Sequence, residues 1–139
     1  MSLNPKKVLV TGGSQGLGLA LATLLASRGA HVVICSRSEA KLELALRKIE
    51  SFRQQENQHL SYVVADVSTF AAASAAIKAC PISIDTVFCC AGAAIPGHFL
   101  DQTEAEFDKG ISLIYKTALS TAHVCMLTLT HTFRLRHYS

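Results

Sequence analysis

Charge is scarce in this sequence. Of its 139 residues 17 % are charged against 50 % hydrophobic, and the formal net charge is only +3. A chain with so much apolar surface to bury does not stay disordered, and so weak a charge gives no electrostatic drive toward nucleic acid. Paired cysteines are missing as well. The five cysteines, at positions 35, 80, 89, 90 and 125, include no Cys-x-x-Cys and sit mostly in apolar runs. That pattern fits buried free thiols in a reducing compartment and argues against a disulfide framework or a metal site. Uninterrupted apolar runs long enough for a membrane are absent too. The most apolar window, Ile111 to Thr130, carries Lys116 and His123 and is strongly periodic, so it reads as a packed helix. Met1 to Lys7 has two lysines but no apolar segment, so no secretory signal is expected. There is no internal repeat and no low-complexity tract. A single domain over residues 1–139 is expected, a length that removes about 65 to 70 % of the unfolded surface on folding.

What is present begins at Lys7-Val8-Leu9-Val10-Thr11-Gly12-Gly13-Ser14-Gln15-Gly16-Leu17-Gly18. The consecutive, mostly β-branched Val8, Leu9 and Val10 suit a strand buried on both faces of a parallel sheet. From Leu17, the positions Leu17, Leu21 and Leu24, with Ala20 beside them, recur at helical spacing and predict the buried face of a helix. Between strand and helix, Gly12, Gly16 and Gly18 let the backbone turn and approach a ligand, while the first amides of the helix have nothing to bond. Free amides at the positive end of a helix dipole favour an anion, and a pyrophosphate is the usual occupant. Gly29 ends the helix, and a second apolar run, His31 to Ser36, follows as a dinucleotide-binding βαβ unit requires.

The end of that second strand bears on the cofactor. An acid there would take a ribose 2′-hydroxyl and repel a 2′-phosphate. Here the residues are Cys35-Ser36-Arg37-Ser38, with no acid before Glu39. A hydroxyl and a guanidinium suit a phosphate, so NADP is expected over NAD. The alternative makes Arg37 a surface residue and Ser38 a helix N-cap.

The remaining chain continues the alternation. A helix from about Glu39 into Glu56 sets Leu42, Ala45 or Leu46, Ile49 and Phe52 on one face. Arg53 to His59 reads as a polar loop, Leu60 to Ala65 as a third strand, and Phe70 to Ala79 as a helix ended by Cys80-Pro81. Asp66 or Ser68 would cap that helix. Asp85 to Cys89 is a fourth strand, and Ala91-Gly92 leaves it as small residues against which a flat cofactor could lie, or as an ordinary turn. A capping box, Thr103-x-x-Glu106, starts a last helix whose predicted stripe is Phe107, Ile111, Ile114, Ala118, Ala122, Cys125, Leu129 and Phe133. Arg134, Arg136 and His137 read as its solvated end.

Three elements carry a resemblance: Thr11-Gly12-x-x-x-Gly16-x-Gly18, Ala65-Asp66-Val67, and Cys89-Cys90-Ala91-Gly92. Together they are similar to the short-chain dehydrogenase/reductase family, although the two cysteines stand where that family has Asn-Asn. The glycine segment, Ser27-Arg28-Gly29-Ala30-His31 and Phe88 to Gly97 look closer still to the branch that reduces 3-ketodihydrosphingosine in sphingolipid synthesis, a likeness running from about Lys7 to Val124. The resemblance implies an α/β fold, a Rossmann-type doubly wound parallel sheet of order 3-2-1-4, truncated to about four strands with flanking helices. It implies NADPH held by Gly12, Ser14, Gln15, Gly16, Leu17, Gly18, Ser36, Arg37, Asp66, Val67, Ala91 and Gly92, with Asp66 meeting the adenine. It implies also a long-chain keto-amine lipid as substrate of the full enzyme, a homo-oligomer through the last helix, and a place on the cytosolic face of the endoplasmic reticulum. This chain alone is expected to be soluble.

The family's catalytic serine and Tyr-x-x-x-Lys pair have no counterpart here. Tyr115 and Lys116 are adjacent, about 100° apart on a helix, and Tyr138 has no residue four positions on. Alignment of Lys109-Gly110 and Thr121-Ala122-His123 puts Ile114 where the family has an asparagine, and isoleucine relays no proton. No catalytic residue is therefore assigned. Two readings stand: the cofactor-binding half of an NADPH-dependent reductase, or a non-catalytic NADP-binding or oligomerisation module.

Overall fold

A computed structural model describes residues 6–136, with side chains described as far as Leu127. Its runs of β-branched and aliphatic residues form four strands: β1 (Lys7–Thr11), β2 (His31–Ser36), β3 (Leu60–Val64) and β4 (Thr86–Cys89). Three helices connect them, α1 (Gly16–Ser27), α2 (Glu39–Glu50) and α3 (Phe70–Lys78). After β4, an irregular stretch with a 3-10 turn at Phe99–Asp101 leads into α4 (Glu104–Ile111), a π-helical turn (Ser112–Lys116) and α5 (Thr117–Arg136). All neighbouring strands are parallel, in the order β3-β2-β1-β4 that the resemblance implied.

Alternation along the central strands splits the core in two, because successive side chains point to opposite faces. Val8, Val10, Val32 and Ile34 pack with Ala22, Leu25, Ala26, Leu42, Ala45 and Ile49 of α1 and α2. Leu9, Val33 and Cys35 pack on the other face with Ala73 and Ala76 of α3 and Val124 of α5. Burying a Val, Leu or Ile side chain stabilises by about 1.5 to 3 kcal/mol, and these central-strand residues supply the largest fully buried groups.

Two helices sit one residue out of phase with the predicted stripes. In α1 the buried positions are Gly18, Ala22, Leu25 and Ala26, whereas Leu17 is 79 % exposed and Leu24 is exposed. In α5 the buried residues are Thr117, Ser120, Thr121 and Val124, together with Cys125 of the predicted stripe, while Phe107 and Ile111 of α4 and Ile114 of the π-helical turn lie exposed. The cause is the same in each. A helix that approaches the sheet closely must present small side chains there, and the bulkier leucines and isoleucines are turned outward. Leu129, Phe133, Arg134, Arg136 and His137 lie outside the described side chains. In α2 the prediction holds for Leu42, Ala45 and Ile49, with Leu46 half-buried, but Phe52 falls past the helix end and is exposed.

The helix ends follow local chemistry. The Thr103 hydroxyl accepts from the Glu106 amide and the Glu106 carboxylate accepts from the Thr103 amide, completing the expected capping box. The cap of α3 is neither Asp66 nor Ser68 but Thr69, whose hydroxyl accepts from the Ala72 amide at 3.2 Å. The segment Arg53 to His59, expected to be a plain polar loop, buries Gln58, which is 3 % exposed.

Candidate functional site

The strands converge at their carboxyl ends, and the order reverses between β1 and β4 because β1 is followed in space by β2 on one side and β4 on the other. In open α/β sheets that reversal opens a crevice. Here it is a cleft of about 520 Å³. The loop Gly12 to Gln15 crosses its floor, tied to β2 by the Gly12 amide donating to the Cys35 carbonyl at 2.8 Å. Across the cleft the Thr11 hydroxyl donates to the Phe88 carbonyl at 3.4 Å and accepts from the Ala91 amide at 3.3 Å, which holds the chain leaving β4 against the end of β1.

Packing explains why this loop has glycines. Gly12 has φ +69°, and a Cβ on it would lie 2.6 Å from the Cys90 carbonyl oxygen. A side chain on Gly18 would be driven into the Gly12 carbonyl. Gly16, at φ +55°, has open space around the missing Cβ, so its backbone faces the cleft unobstructed. Gln15 is the N-cap of α1 but its side chain caps no amide, and the Leu19 amide donates to the Gln15 carbonyl at 3.2 Å. The first amides of α1 have no acceptor within the helix, and Gly16, Leu17 and Gly18, which carry them, line the cleft.

All twelve residues singled out from the sequence line this one cleft: Gly12, Ser14, Gln15, Gly16, Leu17 and Gly18 from the loop, Ser36 and Arg37 after β2, Asp66 and Val67 after β3, Ala91 and Gly92 after β4. Sequence reading missed Ser38, Lys41, Ser68, Lys109, Ser112 and Thr117, which line it too. Lys41 and Lys109 carried no signal because each sits on a charged helix face where solvent is the ordinary surrounding. Three of the lining residues are cationic (Arg37, Lys41, Lys109) and one, Asp66, is acidic. The Asp66 carboxylate accepts from the Ser68 amide at 3.0 Å, which fixes it beside Val67. Ser36 carries a different signal: its Oγ is buried without a hydrogen-bond partner in the structure. A buried hydroxyl left unpaired costs about 1 to 3 kcal/mol, so a polar ligand at this point would recover what the fold forgoes.

The other wall comes from the π-helical turn. The Thr117 hydroxyl lies 3.0 Å from the carbonyls of Ala91, Leu113 and Ile114, and shares its one proton among them. Ile114 itself is 56 % exposed and does not complete a buried stripe. Tyr115 and Lys116, also exposed, do not line the cleft. The cysteines are free among the described residues, with Cys35 and Cys125 buried and Cys89 exposed. No group of three or more His, Cys, Asp or Glu suited to a metal occurs among the described residues.

Residues 6–132 match the family described as short chain dehydrogenase. The chain belongs to the short-chain dehydrogenase family. It is 37 % identical over 120 residues to the PIGF/3-ketodihydrosphingosine reductase fusion protein of Schizosaccharomyces pombe, covering 86 % of this chain and 24 % of that protein. It is 37 % identical over 127 residues to a 3-ketodihydrosphingosine reductase of Yarrowia lipolytica, covering 88 % and 34 %. The chain thus spans about a quarter to a third of the length of these relatives. Among solved structures, a 3-oxoacyl-[acyl-carrier protein] reductase with bound NAD from Brucella melitensis superposes with a TM-score of 0.81 at 23 % identity, over 94 % of this chain and 50 % of that one. The RhlG/NADP complex of Pseudomonas aeruginosa superposes with a TM-score of 0.78 at 24 % identity, over 88 % and 47 %. At these identities the superpositions establish the fold.

Proposed function

We propose that this chain is the cofactor-binding part of an NADPH-dependent reductase that acts on the 3-keto group of 3-ketodihydrosphingosine. The observation that carries the cofactor is the end of β2, where the orphaned Ser36 hydroxyl stands beside Arg37 and the first acid that follows on the chain, Glu39, does not line the cleft. The residues fit the group. The loop Gly12 to Gly18 and the first amides of α1 would take the pyrophosphate, Ser36 and Arg37 the 2′-phosphate, Asp66 and Val67 the adenine, and Ala91 and Gly92 would lie along the nicotinamide side. When bound, the cofactor supplies a hydride to a carbonyl carbon. The substrate class is supported by the identity to the two reductases named above, and with it comes a place on the cytosolic face of the endoplasmic reticulum. No helix among the described residues is long and apolar enough to cross a membrane.

Titration of NADPH and NADH into the wild-type chain and Arg37→Ala tests this. Losing hydrogen bonds to a charged phosphate costs about 1.5 to 3 kcal/mol, so the variant is expected to bind NADPH roughly 10- to 150-fold more weakly. Equal affinity of the wild type for both nucleotides overturns the cofactor assignment. The second reading, a non-catalytic module that binds NADP or self-associates, is favoured by one feature. The exposed Ile111, Ile114 and Leu119 leave an apolar surface on α4, the π-helical turn and α5.

A further inference from the structure

The mouth of the cleft is bridged by two side chains from different βαβ units. Lys41, in the first turn of α2, donates from Nζ to Oε1 of Gln15, the N-cap of α1, at 3.2 Å. Both residues line the cleft, and so do Ser36, Arg37 and Ser38. Lys41 has no carboxylate partner among the described residues. Glu39, the acid nearest in sequence, does not line the cleft, and its carboxylate accepts instead from the Tyr62 hydroxyl at 3.4 Å. The cleft beyond β2 therefore holds two cations, Arg37 and Lys41, beside the hydroxyl residues Ser36 and Ser38, and its single lining carboxylate, Asp66, follows the neighbouring β3.

We infer that Lys41, held across the cleft mouth by Gln15, is a second specificity-determining cation for the ribose 2′-phosphate. This rests on the NADPH reading above. A phosphate monoester carries about −1.5 to −2 charge at pH 7, which one guanidinium leaves partly unmatched. Arg37 offers a planar fork that pairs two phosphate oxygens, while the ammonium of Lys41, on a flexible stem, acts as a point charge for the third. Gln15 is a positioning residue. It accepts a hydrogen bond from the ammonium without neutralising it, so the stem is held over the site with the charge left available.

The test is binding, read by nucleotide fluorescence with NADPH and NADH on the 139-residue chain, its Lys41→Ala, Lys41→Arg and Gln15→Ala variants, each checked for wild-type circular dichroism. Lys41→Ala is expected to weaken NADPH about tenfold, the lower end for a hydrogen bond to a charged group, and to leave NADH unchanged. Lys41→Arg retains the preference, and Gln15→Ala loses part of it. The Lys41→Ala penalty should shrink below about pH 6, where the 2′-phosphate takes up a proton. An unchanged NADPH affinity in Lys41→Ala, or an equal loss for both nucleotides, overturns the inference and leaves the Arg37 assignment standing. A wild type without preference for NADPH overturns the cofactor reading and this inference with it.

Discussion

The side-chain amide of Gln58 donates to the Ala30 carbonyl at 2.7 Å, joining the turn before β3 to the turn before β2. The same nitrogen reaches the Ala26 carbonyl at 2.8 Å, and the Gln58 carbonyl oxygen accepts from the Gln54 amide at 2.9 Å. One buried amide thus satisfies the Ala30 carbonyl and adds a second donor to the Ala26 carbonyl, which already accepts from the Gly29 amide at 3.0 Å at the C-terminus of α1. Gln58→Ala should destabilise the fold by about 1 to 3 kcal/mol, because the Ala30 carbonyl is left buried and unpaired while Ala26 keeps the Gly29 amide. Urea unfolding followed by circular dichroism measures it. A loss below about 0.5 kcal/mol would mean that water replaces the amide at little cost.

Gln58 also shows where the sequence stopped being legible. It lies in a run of polar residues, Arg53 to His59, and only the folded chain reveals that its amide points inward. The strands and the glycine loop were readable because apolar runs and spaced glycines are local signals, while the strand order and the full set of twelve cleft residues followed from the family resemblance those elements carry. The phases of α1 and α5 were not. Periodicity finds the stripe of largest apolar residues, whereas contact with the sheet chose Gly18, Ala22 and Ala26 in one helix and Thr117, Ser120 and Thr121 in the other. Lys41 was invisible for a related reason: its partner, Gln15, lies 26 residues away.

Burial pushes the Cys35 thiol up from 9.0 to about 12, and burial takes Cys80 and Cys125 to about 11. Each ionises more readily once unfolded, so the unfolded chain binds fewer protons in alkaline solution and stability falls as pH rises. The stability these thiols contribute is fully present below about pH 9 and is lost toward pH 11 to 12. Urea midpoints should therefore drop between pH 8.5 and 10.5, and drop less in Cys35→Ala measured against its own value at pH 7. At pH 8, iodoacetamide followed by mass spectrometry should modify the exposed Cys89 well before Cys35. Equal rates at the two sites would contradict the burial.

Self-association is expected from two exposed features. β4 pairs only with β1 among the described residues, and Ile111, Ile114 and Leu119 are exposed on the adjoining helical segment. An unpaired strand edge and exposed apolar side chains both favour contact with another copy. Sedimentation velocity at micromolar concentration should show dimers or larger species, and Leu119→Glu should shift them toward monomer. A wild type that sediments as a clean monomer is the result that excludes this.

The 139-residue chain should hold NADPH yet show no ketone-dependent oxidation of it. A carbonyl that accepts a hydride needs a proton donor within hydrogen-bond reach, a contribution worth about 10² to 10⁴-fold. Tyr115, the tyrosine nearest the cleft in sequence, is 63 % exposed and does not line it, and it has no lysine four residues on. Ile114, the position at which the sequence reading expects the family's asparagine, offers neither donor nor acceptor. Ile114→Asn alone should therefore restore nothing, since an amide at this exposed position would have no tyrosine–lysine pair to serve. Positioning of the ketone, which can lower a barrier by several kcal/mol, also requires a pocket wall beyond Gly92 and the π-helical turn. The measurement is NADPH absorbance with 3-ketodihydrosphingosine and purified chain. Turnover above a no-protein control, by the wild type or by Ile114→Asn, would show that a proton donor is present that neither the sequence nor the cleft reveals.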